Sequence, residues 1–447
     1  MELETRHSIN VIDRRRPAPV QRGQGLLAQK ALAVMNDQQV SAPAATVTER
    51  AREATDEQKR LALAIISVCH TLNHLQYSIT SVIFPVVMKE LGFGLLHLGF
   101  ISALSSFVGQ GLQVIYGFFT GFFKRTTVLG LGNVIVGVVA MSQFFVRSYP
   151  QLLTARVAID AGSSPQHPLG ASILSRYYPK ARGWALTFHH TAGNLGSFLG
   201  PALASLALLY MGWRTAFIVF GLPSVVMGLA LLFLGDRTEI SDELDSGKKK
   251  KMKANLRAYV LCLKNRNIIF TSLVLMVGAA GRGTGVNLTY MVPFFMDRFE
   301  VTASAGGLLL TLMQGAGLVG PLAIAWLSDR SGKRTLVTQG SLLLSAIMTL
   351  WLVQHGQLGP LFYVNLVLYG AFVQARGALT QAMIGDFATD ELTDAAFSIY
   401  YFVGFISGPI WTLIIGYVME HYGFTPAFYT AASTYVVGML LLLFVKE

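Results

Sequence analysis

Arg156, Asp160, Arg282 and Arg376 each stand deep inside a long apolar stretch of this chain, where an ionisable group is costly and marks a functional candidate. Arg156, Asp160, Ser163 and His167 fall at i, i+4, i+7 and i+11, which places all four on one face of a helix. Asp160 is the one carboxylate deep in such a stretch; Glu90, Asp297, Asp386 and Glu420 stand near stretch ends. Two chemistries fit Arg156 and Asp160. One is a structural i,i+4 pair, and the other is a carboxyl that exchanges a proton while its arginine is released to hold an anion. A guanidinium does not deprotonate, so Arg282 and Arg376 each need an anion, a carbonyl cluster or water. Three deep arginines against one deep aspartate leave a net positive interior. That favours an anionic substrate such as a carboxylate, phosphonate or phosphate ester. Arg376 shares a helical face with Asn365 and Tyr369, and capping backbone carbonyls is its alternative role.

His70, Asn73, His74 and Tyr77 share a face of another helix, with His70 roughly 15 Å along it. His-x-x-x-His spacing suits a metal, but the Glu of a zinc hydrolase is missing and the sequence shows no third ligand, so no metal is expected. The two readings of these rings are a neutral histidine hydrogen-bonded in a polar interior and a proton site titrating near pH 6.5. His74 therefore joins Asp160 as a candidate for proton coupling. His70, Asn73, His167, Asn194 and Tyr369 join the three arginines as candidate substrate contacts. Cys69 and Cys262 lie in or beside apolar stretches and offer neither a disulfide framework nor a metal cluster. There is no G-x-x-x-x-G-K-[ST] loop, so ATP hydrolysis by this chain is excluded. Gly281-Arg282-Gly283-Thr284-Gly285 follows no strand and is no dinucleotide loop. No cofactor and no enzymatic activity are expected.

The elements that must position these residues are membrane helices. The chain has 447 residues, 53% hydrophobic and 13% charged, where a soluble chain carries about a quarter charged. That excludes a soluble enzyme and a nucleic-acid-binding protein. Stretches of about 20 apolar residues begin near residues 60, 96, 126, 151, 183, 213, 267, 303, 335, 360, 393 and 423, and twelve spans are expected. Residues 1–58 lack an apolar core, so they read as a disordered tail and not as a signal peptide. The even-numbered loops carry Lys124 and Arg125, then Arg176, Lys180 and Arg182, then the Lys248–Lys251 run, then Arg330, Lys333 and Arg334. The odd loops carry Lys89, Arg147, Arg214 and Arg298. This asymmetry places both termini in the cytoplasm of a multi-pass inner-membrane protein and accounts for most of the net charge of +11.

A duplication is visible. Gly196-x-x-x-Gly200-Pro201 recurs as Gly404-x-x-x-Gly408-Pro409, 208 positions later. The same shift carries the turn at Gly117 onto Ala325-Trp326-Leu327-Ser328-Asp329-Arg330-Ser331-Gly332-Lys333-Arg334. The expected architecture is an all-α membrane protein of two pseudo-symmetric six-helix bundles, residues 59–235 and 267–447. A charged cytoplasmic linker, residues 236–266, joins them, and the substrate site lies between the bundles.

The stretch from Ala325 to Arg334 resembles the loop motif between the second and third helices of each half in the major facilitator superfamily. The resemblance implies that Asp329 and Arg330, with Arg334, latch the cytoplasmic ends of the halves in the outward-open state. The first-half copy has Gly121 where the acid should stand. Gly196 to Pro201 resembles the fifth-helix motif of the superfamily's antiporters. Cys69-His70-Thr71-Leu72-Asn73, Gly162-Ser163-Ser164-Pro165-Gln166-His167-Pro168 and Gly193-Asn194-Leu195-Gly196 are similar to its fosmidomycin-resistance group, whose members export drugs in exchange for protons. An acid usually follows the first-helix Asn in that group; here His74 stands there. The expected function is proton-coupled export, as a monomer, of a small anionic or amphiphilic drug-like compound. Uptake of a carboxylate by proton symport or anion exchange uses nearly the same residues. A transport-dead membrane sensor is a third reading.

Overall fold

The computed structural model describes residues 55–119, 124–238, 256–278, 283–389 and 392–446. Residues 1–54 of the tail, the Lys248–Lys251 run, Gly121 and Arg282 lie outside the described residues, while residues 55–58, expected as tail, form the cap and first turn of α1. In chain order the α-helices are α1 (Asp56–Ser78), α2 (Thr80–Leu91), α3 (Leu95–Phe119), α4 (Arg125–Ser142), α5 (Tyr149–Ser163), α6 (Gln166–Tyr177), α7 (Arg182–Tyr210) and α8 (Gly212–Thr238). The second half supplies α9 (Leu256–Lys264), α10 (Arg266–Val277), α11 (Leu288–Phe299), α12 (Ala303–Ser331), α13 (Arg334–Leu352), α14 (Pro360–Phe387), α15 (Thr393–Tyr422) and α16 (Phe424–Leu441). From α3 to α8, five helices begin 208 to 212 positions before their counterparts in the second half, so the sequence offset is also an offset of elements.

Burial is inverted relative to a soluble protein. His70, Asn73, Gln76, Asn133, Arg156 and Asp160 are buried, while Leu131, Ile135 and Val138, at i, i+4 and i+7 of α4, are exposed. An apolar outside around a polar inside is what a lipid solvent selects. Where α4 meets α8, Gly137 lies against Gly221 and Gly130 against Gly228. A Cβ on Gly137 would sit 2.6 Å from the Gly221 carbonyl oxygen, and one on Gly228 2.7 Å from that of Gly130. Two glycine contacts, two helical turns apart, let these backbones touch.

Among the described residues eight helices are long and apolar enough to cross a membrane, namely α3, α4, α7, α8, α12, α13, α15 and α16. A ninth crossing results if the pair within α9 and α10, bent by 79°, counts as one span. Of the other expected spans, the first and fourth are each divided into two helices, the tenth is the single helix α14, diluted by Asn365, Gln374 and Arg376, and the seventh runs through residues outside the described ones. The reason for the two breaks is chemical. The first span breaks at Ile79, where the hydroxyls of Thr80 and Ser81 donate to the carbonyls of Tyr77 and Ser78, both at 2.6 Å, competing with the helix ladder. The fourth breaks between Ser163 and Gln166, because Pro165 and Pro168 cannot donate to the preceding turn. The single stripe expected from Arg156 to His167 is therefore corrected: α5 carries Arg156 and Asp160, and the first turn of α6 carries His167. The end of the expected linker is also helical. α9 buries Ala258 and Cys262 against Ile268, Ala396 and Tyr400, an i,i+4 apolar pair on one face.

The described contacts between the halves gather at one end. The Glu420 carboxylate at the end of α15 accepts the Leu95 amide at the start of α3, 2.6 Å away. Thr289 of α11 donates to Ser102 of α3 at 3.0 Å. α7 and α12 touch at Ser205 and Gly307, and again at Phe198 and Gly315. Toward the other end, where the basic loops lie, Trp184 and Phe188 of α7 and Trp326 and Leu327 of α12 are exposed. The halves are closed opposite the basic loops, and a cavity lies between them on the basic-loop side.

Candidate functional site

Between the halves, on the basic-loop side, lies a cavity of about 980 Å³. Its polar wall is built by Gln110 and Gln113 of α3, His167 of α6, and Gln374, Arg376 and Gln381 of α14. Among the described lining residues there is one guanidinium and no carboxylate. Arg376 is 3% exposed, and its Nη1 donates to the carbonyls of Leu275, at 2.8 Å, and Val274, at 3.5 Å. Those carbonyls belong to the last turn of α10, where helical acceptors are left over and a cation is favoured. The carbonyl-capping arrangement is thus present, at the edge of the cavity.

Arg156 and Asp160 are bonded to each other, Nη2 to Oδ1 at 2.8 Å, with side chains 3% and 10% exposed. Arg156 also donates to the Gln76 carbonyl at 3.3 Å, and its guanidinium lies 4.9 Å from the centre of the Tyr77 ring, in cation–π range. The pair does not face the large cavity. Arg156 borders a smaller pocket with Tyr77 and Ser102 of the first half and Leu288 and Thr289 of the second, so it sits on the seam between them.

The histidines converge. Rings of His74, His167 and His189 lie 4.6, 4.7 and 4.1 Å, centre to centre, from that of His70, and His190 lies 6.0 Å away. Nδ1 of His70 donates to the His189 carbonyl at 2.8 Å, and Nδ1 of His74 is 2.8 Å from the Ser197 hydroxyl. Sequence spacing gives two donors here; the fold adds His167 as a third.

The other sequence candidates scatter. Asn73 donates to the Cys69 carbonyl and to Asn133, inside the first half. Tyr369 donates to Asn287 at 2.9 Å, and Asn365 to the Met348 carbonyl at 3.2 Å, so these two look into helix packing, and of the three only Arg376 borders the large cavity. Asn194 is exposed. Arg334 bonds Asp329 at 3.0 Å and Asp386 at 2.6 Å, and the guanidinium of Arg330 lies 5.4 Å from the Trp326 ring. All of these partners belong to the second half.

A family model described as Major Facilitator Superfamily matches residues 66–353 and 280–447, most of the chain. The chain belongs to that superfamily. It is a multi-pass membrane transporter and not an enzyme. The hexuronate transporter of Escherichia coli strain K12 is 21% identical over 85% of this chain and 92% of its own length. The fosmidomycin resistance protein of the same strain is 26% identical over 40% of this chain and 43% of its own, so the narrower resemblance extends over part of the protein. Among solved structures, a bacterial homolog of the human lysosomal transporter Spinster, crystallised inward-facing and unoccupied, superposes with a TM-score of 0.70. It is 14% identical and covers 87% of this chain and 96% of its own.

Within the superfamily fold, several cavity residues escape a search for charge. Gln110, Gln113, Gln374 and Gln381 are neutral, and their signal was an amide within an apolar run. Gln374 donates to Gln314 at 2.8 Å, which fixes one of them. Glu420 and Asp386, set aside in the sequence as span-end acids, hold the closed end and the α13–α14 corner respectively.

Proposed function

We propose that this superfamily member is a proton-coupled transporter of a small organic anion, exporting it by antiport as its two halves alternate. The observation that carries this reading is the cavity of about 980 Å³, whose described lining holds the Arg376 guanidinium and no carboxylate. That volume suits a small organic ligand, and an excess of fixed positive charge selects anions. Arg376 and His167 are the described candidates that meet at this wall; Arg282 stays in the proposal as a second anion ligand from outside the described residues. Proton symport into the cell is the second reading, favoured by the likeness to a hexuronate transporter over 92% of that protein's length.

Coupling is assigned to Asp160. Its described neighbours are Arg156 on its own helix, Tyr77 of α1 over that arginine, and Ser105 of α3 beside the carboxyl. A proton on Asp160 removes the charge opposite Arg156 and changes the balance on the seam. Release of Arg156 toward the pocket that it shares with Leu288 and Thr289 then ties protonation to the contact between halves. The broken pairs α1–α2 and α5–α6, the α10–α11 region and α14 are proposed as the four remaining spans, giving twelve, with both termini cytoplasmic. Asp329, Arg330 and Arg334 are proposed to bridge to the first half when the basic-loop end closes.

The test is proton flux in proteoliposomes loaded with a pH dye and challenged in turn with organic anions and organic cations. Antiport is expected to move protons against an anion, and symport to move them with it. A response to cations alone overturns the anion reading.

A further inference from the structure

Five imidazoles in one place are more than the transport reading uses. His70 and His74 come from successive turns of α1, His167 from the start of α6, and His189 and His190 from α7. The approach of α1 and α7 makes room for them: a Cβ on Gly193 would fall 2.7 Å from the His70 ring. One nitrogen each of His70, His74 and His167 can be chosen so that all lie within 4.8 Å of one another.

For His70 a hydrogen bond fixes which nitrogen is available. A carbonyl can only accept, so the His70 Nδ1 bonded to the His189 carbonyl carries the hydrogen. In the neutral ring the lone pair is then on Nε2. His70 is 1% exposed, and that Nε2 is buried without a hydrogen-bond partner among the described residues. A buried lone pair with no donor opposite it is a cost that a bound cation removes. The Ser197 hydroxyl beside the His74 Nδ1 can accept as well as donate, so His74 can adopt the same tautomer, with Nε2 left for a ligand. An imidazole anchored through one nitrogen to a carbonyl or hydroxyl, with the other turned inward, is how metal-binding histidines are held.

We infer that His70, His74 and His167 form a site for one divalent transition-metal ion of the Zn²⁺, Co²⁺ or Ni²⁺ class. Three neutral nitrogens and no carboxylate select these ions over Mg²⁺ and Ca²⁺, which demand oxygen ligands. Around a tetrahedral ion with bonds of about 2.0–2.1 Å the nitrogens stand roughly 3.3 Å apart, a closure that small rotations of His74 and His167, both half-buried, supply. Three protein ligands leave one coordination position open. His167 lines the large cavity, so the ion enters from the basic-loop side and its open position takes water or an oxygen of an anion there. The cluster thus adds a second, metal-borne positive charge to the cavity wall that Arg376 already marks.

The test is titration of the purified, metal-free full-length protein with Co²⁺, read by visible absorption, and with Zn²⁺, read calorimetrically. One ion per chain is expected, with the intense Co²⁺ bands of a four-coordinate site. His74→Gln and His167→Gln are expected to weaken Zn²⁺ binding by at least the ~10–100-fold that loss of an outer partner alone costs. His97→Gln and His421→Gln, at span ends, keep wild-type binding. Saturating Zn²⁺ should raise the Tm of the wild type and of His421→Gln but not of His167→Gln, which separates lost binding from lost folding. Absence of stoichiometric Co²⁺ and Zn²⁺ binding by the wild type overturns the site, and so does unchanged binding in both glutamine variants.

Discussion

Arg156 and Asp160 form a buried ion pair one helical turn apart on α5. Their i,i+4 spacing specified a contact, and the contact is made at 2.8 Å; helix geometry alone determines it. Their surroundings, Tyr77 of α1 and Ser105 of α3, depend instead on how α5 docks and are not set by spacing. Because the pair is buried, removing one member leaves an unpaired charge. Arg156→Ala is expected to destabilise the protein by about 3–5 kcal/mol, and Arg156→Ala with Asp160→Ala by less, measured as unfolding in detergent. Asp160→Asn keeps the side-chain shape and removes the proton. It should retain exchange of anion down its gradient while abolishing proton-driven accumulation; accumulation that persists would move coupling elsewhere. For Arg376 the sequence left anion binding and carbonyl capping open. Arg376→Ala is expected to weaken binding of the transported anion by about 1.5–3 kcal/mol, about ten- to a hundredfold, in a direct binding assay. Unchanged affinity would reduce Arg376 to its bonds with Val274 and Leu275. The third histidine was not legible, because His167 reaches His70 only through the packing of α6 against α1.

At the scale of elements, the apolar stretches could be read from composition, and the breaks within the first and fourth could not. α4, α8, α13 and α16 expose or pack apolar faces along their length and announce themselves by hydropathy. α1, α5 and α14 carry the polar interior, so the features that dilute their hydropathy are the ones that line the functional seams. Pro165 and Pro168 were visible in the sequence, yet whether they kink or break a helix depends on what satisfies the freed carbonyls. The closed end rests on a helix terminus. Glu420 sits on the first amide of α3 at 2.6 Å, where an exposed carboxylate is worth about 0.3–1 kcal/mol against the helix dipole. Glu420→Gln should therefore shift the population toward the state open at that end by about two- to fivefold. The measurement is labelling of a cysteine at Ser102, which the Thr289 contact covers, by an impermeant thiol reagent in a background lacking Cys69 and Cys262. An unchanged rate would mean that the apolar contacts beside Glu420 hold the end alone.

At the scale of the molecule, the repeat was legible because duplication preserves element order. Its two copies nevertheless do different work. A Cβ on Gly200 would collide with Ser78 of α1, whereas its counterpart Gly408 meets nothing within 4 Å, since α15 borders the cavity. Sequence symmetry therefore predicts the fold better than it predicts contacts, and a single structure shows one of the two states that symmetry implies. In this state Arg334 is held within its own half by Asp329 and Asp386, while Glu420 bridges the halves at the far end. If the halves rock, these two charge sets must oppose each other: the Asp329 set favours closure at the basic end and Glu420 favours closure opposite. Spin labels at Trp184 of α7 and Trp326 of α12, both exposed at the basic ends, report the opening there. Two distance populations are expected in lipid. Glu420→Gln should enrich the shorter one, and Asp329→Ala, which removes the acid of the latch, the longer. Shifts of about 0.3–1 kcal/mol change such populations severalfold, within reach of the distance distribution. A single distance indifferent to both substitutions would refute rigid-body alternation of the two halves.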